Sequence, residues 1–319
     1  MKVLMSKVAC LIIAFSRLEG VGRLLNSLNP SEIETLYIAI DGPTSDEIKA
    51  THIQIVKVVD SYCTTNSIRL VVWQRDENLG VAAAIILALD WFFVHEDFGI
   101  ILEDDLIVGE DFIEFVVGSK DLLESDDDVL LISGDQFDQH GQLATSRNWT
   151  SYPLIWGWAT SRKKWEVMKF GIVYSNLPLF RKPFNRVENF WRVGSLRVRS
   201  RQIDTWDIPL VYFMLQNHKL CLTPDKNLVS NLGNDRFASH TALDAFPLNL
   251  PIEKLHAPLV ISKPNKNHIR KYDKFLEKDV FQIRKRHTFL YLHFLFFSLL
   301  TGNKNWKKLA QDLENIDLP

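Results

Sequence analysis

Gly99-Ile100-Ile101-Leu102-Glu103-Asp104-Asp105-Leu106 is an apolar run that ends without transition in three adjacent carboxylates. A continuous, partly β-branched run of this kind reads as a strand buried on both faces, as in the interior of a parallel sheet. Like charges gathered at one point repel and raise each other's pKa unless a cation compensates them. A buried strand that ends in Glu103, Asp104 and Asp105 therefore points to a positive partner. A divalent metal fits, because oxygen ligands favour Mg²⁺ or Mn²⁺ and such ions are commonly shared with substrate phosphates. The same residues also read as a solvated turn after a strand, where Asp is common.

Working outward, short β-branched runs alternate with longer amphipathic segments, the pattern of βαβ units and a mostly parallel sheet. Strands are expected at Val8 to Phe15, Thr35 to Ile40, Ile68 to Trp73, Phe98 to Leu102 and Val129 to Ser133. Apolar residues at three- and four-residue spacing predict helices over Leu18 to Leu28, Ser45 to Ser61, Val81 to Val94 and Asp111 to Leu123, with Pro30 and Gly80 at boundaries. Beyond about residue 140, Gly, Pro, Asn, Trp and Tyr become dense, and this half is expected to carry loops and an acceptor-binding surface. Its Trp156-Gly157-Trp158 reads either as core aromatics or as a stacking platform for the apolar face of a sugar.

The chain has 319 residues, 46% hydrophobic and 24% charged, with a formal net charge of -2. That balance is ordinary for a globular enzyme and gives no global attraction to nucleic acid. Cys10, Cys63 and Cys221 are odd in number and scattered, which suggests neither a disulfide framework nor a Cys-based zinc site and fits a reducing, cytoplasmic setting. Lys2 and Lys7 before Val8 to Phe15 have the charge pattern of a signal peptide, but no small-residue cleavage site follows, and the run reads as a first buried strand. Near the other end, Arg284-Lys285-Arg286-His287 precedes the apolar stretch from Phe289 to Leu300, and Lys304, Lys307 and Lys308 follow it. This stretch falls short of the roughly 20 residues a membrane-spanning helix needs. Residues 284–308 are expected to make peripheral contact with the inner face of a membrane, or to pack as a helix on the main domain or a subunit partner.

In parallel α/β sheets, ligands bind beyond the carboxyl ends of the strands. Those positions are polar in strand after strand: Ser16-Arg17, Asp41-Gly42, Gln74 to Asn78, and Glu103-Asp104-Asp105. Asp41-Gly42 and Asn78-Leu79-Gly80 are also everyday turn sequences.

Taken in order, Ile12-Ile13-Ala14-Phe15-Ser16-Arg17, Tyr37-Ile38-Ala39-Ile40-Asp41-Gly42, Glu77-Asn78-Leu79-Gly80-Val81-Ala82-Ala83-Ala84 and Ile100 to Leu106 resemble the landmarks of nucleotide-sugar glycosyltransferases of the GT-A fold. Leu102-Glu103-Asp104-Asp105-Leu106 followed by Asp111-Phe112 is similar to the N-acetylglucosaminyltransferase I family and related bacterial sugar transferases. The resemblance covers roughly residues 8 to 245. It implies a Rossmann-like, mostly parallel sheet flanked by helices, in a domain expected over residues 1–262 with 1–140 as the nucleotide-sugar half and 141–262 as a loop-rich acceptor half; residues 263–319, outside the resemblance, are expected to form a C-terminal helical extension.

The resemblance also implies roles. Asp41 would accept a hydrogen bond from the nucleotide base, and Arg17 would reach the nucleotide or its phosphates. Asn78, Glu103 and Asp104 would line the donor, the last two near its ribose and sugar. Asp105 would bind Mn²⁺ or Mg²⁺ bridging the diphosphate. Asp204-Thr205-Trp206-Asp207 is similar to the element in which the family places its catalytic base, implying that role for Asp207 with Asp204 in reserve. Asp207 also reads as a helix cap, with Pro209 in the first turn. Asn227 to Gly233 and Ala238 to Thr241 look like the closing loop of bacterial relatives, in which His240 would complete the metal shell or touch the diphosphate. In place of the aromatic that often follows the loop's Gly stands Asn234-Asp235-Arg236.

The implied activity is a metal-dependent, inverting sugar transfer from a nucleoside diphosphate donor, UDP-sugar favoured, to a saccharide or lipid-linked saccharide, in surface polysaccharide or glycan assembly. Nucleic acid is not an expected partner. The rival readings are a nucleotidyltransferase acting on sugar phosphates, although no glycine- and lysine-rich triphosphate loop follows Phe15, and a non-catalytic nucleotide-sugar-binding scaffold.

Overall fold

Val8–Ala14 (β1), Ile33–Ile40 (β2), Arg69–Gln74 (β3) and Phe98–Glu103 (β4) form one half of a mixed sheet. They alternate with the helices Leu18–Ser27 (α1), Asp46–Asn66 (α2) and Val81–His95 (α3). The computed structural model describes residues 7–138, 148–174, 185–233, 247–255 and 264–283. β1 and β4 are buried on both faces almost throughout, which is why they read as continuous apolar runs rather than alternating ones. β3 lies at the sheet edge and is correspondingly half exposed. Local chemistry sets the boundaries. The Ser45 hydroxyl accepts from the Ile48 N–H at the start of α2, with Asp46 and Glu47 in its first turn, and Ser67 closes the helix in the left-handed conformation at φ 55°.

The second half adds Leu106–Val108 (β5), Phe112–Val117 (α4), Lys120–Ser125 (α5), Val129–Ser133 (β6), Asn148–Thr150 (β7), Trp158–Ser161 (β8), Arg162–Tyr174 (α6), Arg186–Arg199 (α7), Asp207–Gln216 (α8), Leu220–Thr223 (β9), Val229–Asn231 (β10) and Lys266–Phe275 (α9). The main sheet has the order β3-β2-β1-β4-β8-β6-β9-β7, while β10 and β5 form a separate antiparallel pair. β1, β2, β3, β4, β6 and β9 point the same way, and only β8 and β7 oppose them. The fold is thus the expected α/β class: a mostly parallel sheet with helices on both faces. One face packs Val21, Leu24, Ile55, Val59, Phe112 and Phe115; the other packs Ile85, Leu89, Phe92, Trp165, Met168 and Leu210. A third apolar cluster joins Phe137 and Tyr152 to Phe190, Trp191, Tyr212, Tyr272 and Leu276.

The helix expected over Asp111 to Leu123 is corrected to two short ones, α4 and α5. The chain tightens at Gly118-Ser119, where the Ser119 N–H bonds back to the Val116 carbonyl at 3.1 Å, and a poor helix former interrupts the periodic pattern. In the second half, α6, α7 and α8 are regular elements that the sequence pattern did not delimit as a set. Among the described residues no helix is long and apolar enough to cross a membrane. The basic and apolar segment 284–308 lies outside the described residues.

Candidate active site at the strand ends

The sheet places the acidic triplet. β1 pairs in parallel with β4, setting Ile13 opposite Glu103, so the residues just past β1 lie beside those just past β4. The Phe15 N–H donates to Asp104 Oδ2 at 3.0 Å, and Arg17 Nη1 donates to Asp104 Oδ1 at 2.9 Å. Arg17 Nη1 also stands 3.4 Å from Asp105 Oδ2. Asp104 is only 4% exposed, so it is held as the pivot of this corner rather than offered to solvent. Gly20 of α1 makes the approach possible: any Cβ there would collide with the Asp104 carbonyl oxygen.

Asp105 is differently placed. Its carbonyl accepts from the Leu232 N–H at 2.8 Å, just beyond the β5–β10 pair, and a Cβ on Gly233 would stand 2.7 Å from its Oδ2. Glu103, half-buried at the end of β4, has its carboxyl pushed up to about 8. Burial contributes most, then the charges of Asp105, Asp104 and Asp207, with Arg17 opposing them.

A second knot holds the ends of β2 and β3. Both oxygens of Asp41 accept from the Leu79 N–H, at 3.2 and 3.1 Å, and Arg75 Nη1 is 3.7 Å from Asp41 Oδ1. Arg75 lies 4.0 Å above the Trp73 ring and donates to the Ala84 carbonyl at 3.1 Å. Asn78 Nδ2 donates to the Gly42 carbonyl at 3.0 Å, and a Cβ at Gly42 would strike the Glu77 backbone, so the two loops close only over glycine. Asp41 and Asn78 therefore share one site, laced to each other's loops. His52, buried on α2, bridges the two knots: its ring meets Phe15 edge-on at 5.8 Å and feels the charge of Asp41.

Asp207 comes to the same edge from the second half. Trp206 is buried, stacked on Trp158 at 5.8 Å and edge-on to Trp165 at 6.4 Å, and burial of such a ring contributes roughly 1.5–3 kcal/mol. This anchor sets the first residue of α8, Asp207, where its charge raises Glu103. Asp207 Oδ1 accepts from the Thr205 hydroxyl and, at 2.8 Å, from the Ile208 N–H. Asp204 has a separate task. It accepts from the Val81 and Ala82 N–H groups at 2.8 and 3.1 Å, capping α3 beside Gly80, which has φ +79°. The two aspartates of one short element thus divide between a helix cap and the carboxylate cluster.

No protein-family model and no curated protein matches this chain. Among solved structures, S. aureus TarS 1-349 is similar at 14% identity and a TM-score of 0.41, over 71% of this chain and 60% of that one. Glucosyl-3-phosphoglycerate synthase from Mycobacterium tuberculosis, in complex with Mn²⁺, uridine diphosphate and glucosyl-3-phosphoglycerate, is similar at 14% identity and a TM-score of 0.31, over 49% of this chain and 57% of that one. The same synthase with Mn²⁺, UDP-glucose and phosphoglyceric acid gives 16% identity and a TM-score of 0.31. This chain spans under two thirds of the length of each.

Among the described residues, no three His, Cys, Asp or Glu side chains converge as a ready metal cage. A cation at this corner would accordingly take few protein ligands and complete its shell with substrate oxygens, as Mg²⁺ does. The residues fit such an ion: Glu103 and Asp105 present carboxylate oxygens, and Gly233, with no Cβ, leaves room beside Asp105 Oδ2. His240 lies outside the described residues.

Strand-end logic also reaches residues that the sequence reading left without a role. Arg75, directly after β3, is the cation of the Asp41 knot. Asp135, two positions past β6, is 1% exposed and accepts from the Ser133 hydroxyl at 3.2 Å and the Trp156 N–H at 3.1 Å. The two tryptophans of the Trp156-Gly157-Trp158 element part company: Trp158 is core, whereas Trp156 is half-buried against Phe137 at 5.5 Å.

Proposed function

We propose that this chain is a metal-dependent, inverting glycosyltransferase that moves a sugar from a nucleoside diphosphate donor, a UDP-sugar in the favoured case, to a hydroxyl of a saccharide or lipid-linked saccharide. The observation that carries the reading is the corner at the end of β4, where three carboxylates meet one arginine and a fourth carboxylate, Asp207, adds its charge from another half of the fold. Partly compensated by Arg17, the cluster is adapted to receive further positive charge.

In this reading the Asp41 knot receives the nucleotide base, with Arg75 and Asn78 holding the two loops against it. Arg17, already fixed by Asp104, reaches the diphosphate. Asp105 would hold Mn²⁺ or Mg²⁺ shared with the diphosphate, and His240 would be a further ligand. When bound, the ion neutralises charge on the departing diphosphate as a Lewis acid. Asp207 takes the proton from the acceptor hydroxyl as that oxygen attacks the anomeric carbon opposite the leaving phosphate, which inverts the centre. Trp206 sets Asp207 in place, and the half-buried Trp156 offers a face to the acceptor sugar. We assign the activity to surface polysaccharide or glycan assembly.

The test is nucleotide release from a panel of UDP-, GDP- and CMP-sugars with Mn²⁺, in wild type and Asp105→Ala. Release from one donor class, lost in the variant, is expected. Donor binding without turnover in both proteins would make the chain a binding scaffold, and no binding of any donor would overturn the reading altogether.

A further inference from the structure

Helix α9 and the wider helical turn that continues it, Leu276–Val280, sort their charges by sign. Ile269, Tyr272 and Leu276 face the protein, where Tyr272 and Leu276 join Phe137 and Tyr152 in the third apolar cluster. The acids turn inward as well. Asp273 Oδ1 accepts from the Thr150 hydroxyl at 2.6 Å and the Ser151 N–H at 3.0 Å, and Glu277 Oε1 accepts from the Tyr152 hydroxyl at 3.3 Å. The cations point the other way: Lys266, Arg270, Lys271, Lys274 and Lys278 are all exposed. At 3.6 residues per turn they spread over the side opposite Tyr272 and Leu276. On that side Lys278 pairs with Asp279 at 3.4 Å, and Lys274 lies close enough to Glu277 to steady its charge. Arg186 shares that second role.

We propose that the outward face of α9 is a docking surface for an anionic lipid bilayer. Charge complementarity selects a negative partner for a face on which five exposed cations stand against one exposed acid, Asp279. The chain beyond it selects a bilayer over a soluble polyanion: after Ile283, the last described residue, come Arg284-Lys285-Arg286 and the apolar stretch Phe289 to Leu300. Cations followed by an apolar segment match headgroups over hydrocarbon, whereas a polyanion in solution gives the apolar residues nothing. The surface stands independently of the sugar-transfer reading, since none of its residues belongs to the strand-end site.

The experiment is co-sedimentation of the full chain with vesicles of phosphatidylcholine mixed with phosphatidylglycerol, and with phosphatidylcholine alone. The wild type is compared with a triple variant, Lys266→Ala, Arg270→Ala and Lys274→Ala, and with the charge-keeping triple, Lys266→Arg, Arg270→Lys and Lys274→Arg. At about 1 kcal/mol per cation near an anionic surface, the alanine triple loses about a hundredfold in partitioning while the charge-keeping triple stays within a few-fold of wild type. Circular dichroism of all three proteins is expected to coincide, because these side chains carry none of the buried contacts. Equal sedimentation of wild type and the alanine triple would overturn the proposal. So would indifference of the wild type to lipid charge, or capture of the wild type by polyphosphate but not by vesicles.

Discussion

Carboxylates at the strand ends of the two halves meet opposite fates. In the first half, Asp41 and Asp104 are each held by an arginine and a backbone N–H, Arg75 with Leu79 and Arg17 with Phe15. In the second, Asp135 is just as buried, but among the described residues no cation pairs with it. Its Oδ2 takes both hydrogen bonds, its Oδ1 takes none from the described residues, and burial raises its pKa well above the usual carboxylate range. The difference separates two uses of an acid. A charge-compensated carboxylate keeps its charge and can exchange partners when a ligand arrives. An uncompensated one is driven neutral and serves as an internal hydrogen-bonding post, here fixing the Trp156 loop to β6.

The sharpest break of that contrast is at Asp105. Asp105→Ala is expected to lower kcat/KM about a thousandfold or more, with little change in the urea midpoint, because Arg17 keeps Asp104 as its partner. Next, Asp207→Asn is expected to lower kcat by about 10²–10⁴ without weakening Mn²⁺ binding, since the amide oxygen still accepts from Thr205 and Ile208. Gly20→Ala attacks the same corner through packing. Its Cβ drives against the Asp104 carbonyl, and a loss of about 1–3 kcal/mol is expected in denaturant unfolding.

Asp204→Ala removes the cap of α3, with an expected cost of about 1 kcal/mol in the same measurement. Its kcat should fall far less than that of Asp207→Asn; an equal fall would make Asp204 the base. Asp135→Asn has the subtlest effect. The folded pKa of Asp135 lies above its unfolded value, so the native state holds the extra proton and stability declines as pH rises beyond about 4. The asparagine variant lacks this slope, and its melting temperature is expected to decline less between pH 4 and 8 than that of wild type.

The legible part of this fold lay where burial is two-sided. β1, β4 and the Leu36 to Ile40 part of β2 announce themselves as apolar runs, and their polar successors mark the candidate site. α7 was less legible because polar residues interrupt its apolar stripe: beside Phe190 and Trp191 it buries Glu188, Asn189, Arg192 and Ser195, with Arg192 Nη2 donating to Asn189 Oδ1 at 2.8 Å. β8 enters the sheet antiparallel between β4 and β6, a topology that four residues of sequence, Trp158 to Ser161, do not signal. The Asp41–Arg75 pairing depends on the β2–β3 register rather than on any spacing. Asp135, by contrast, was within reach, because it follows β6 as Glu103 to Asp105 close β4. Its neutrality was not, because that depends on which cations surround it in space.

The central claim, that the charge-compensated corner and not the neutral post receives a cation with a diphosphate, is tested most directly by Mn²⁺ titration followed by electron paramagnetic resonance, with and without UDP. The expected result is Mn²⁺ binding strengthened by UDP in wild type and Asp135→Asn, and abolished in Asp105→Ala. Equal binding in all three proteins, or loss in Asp135→Asn alone, would contradict it.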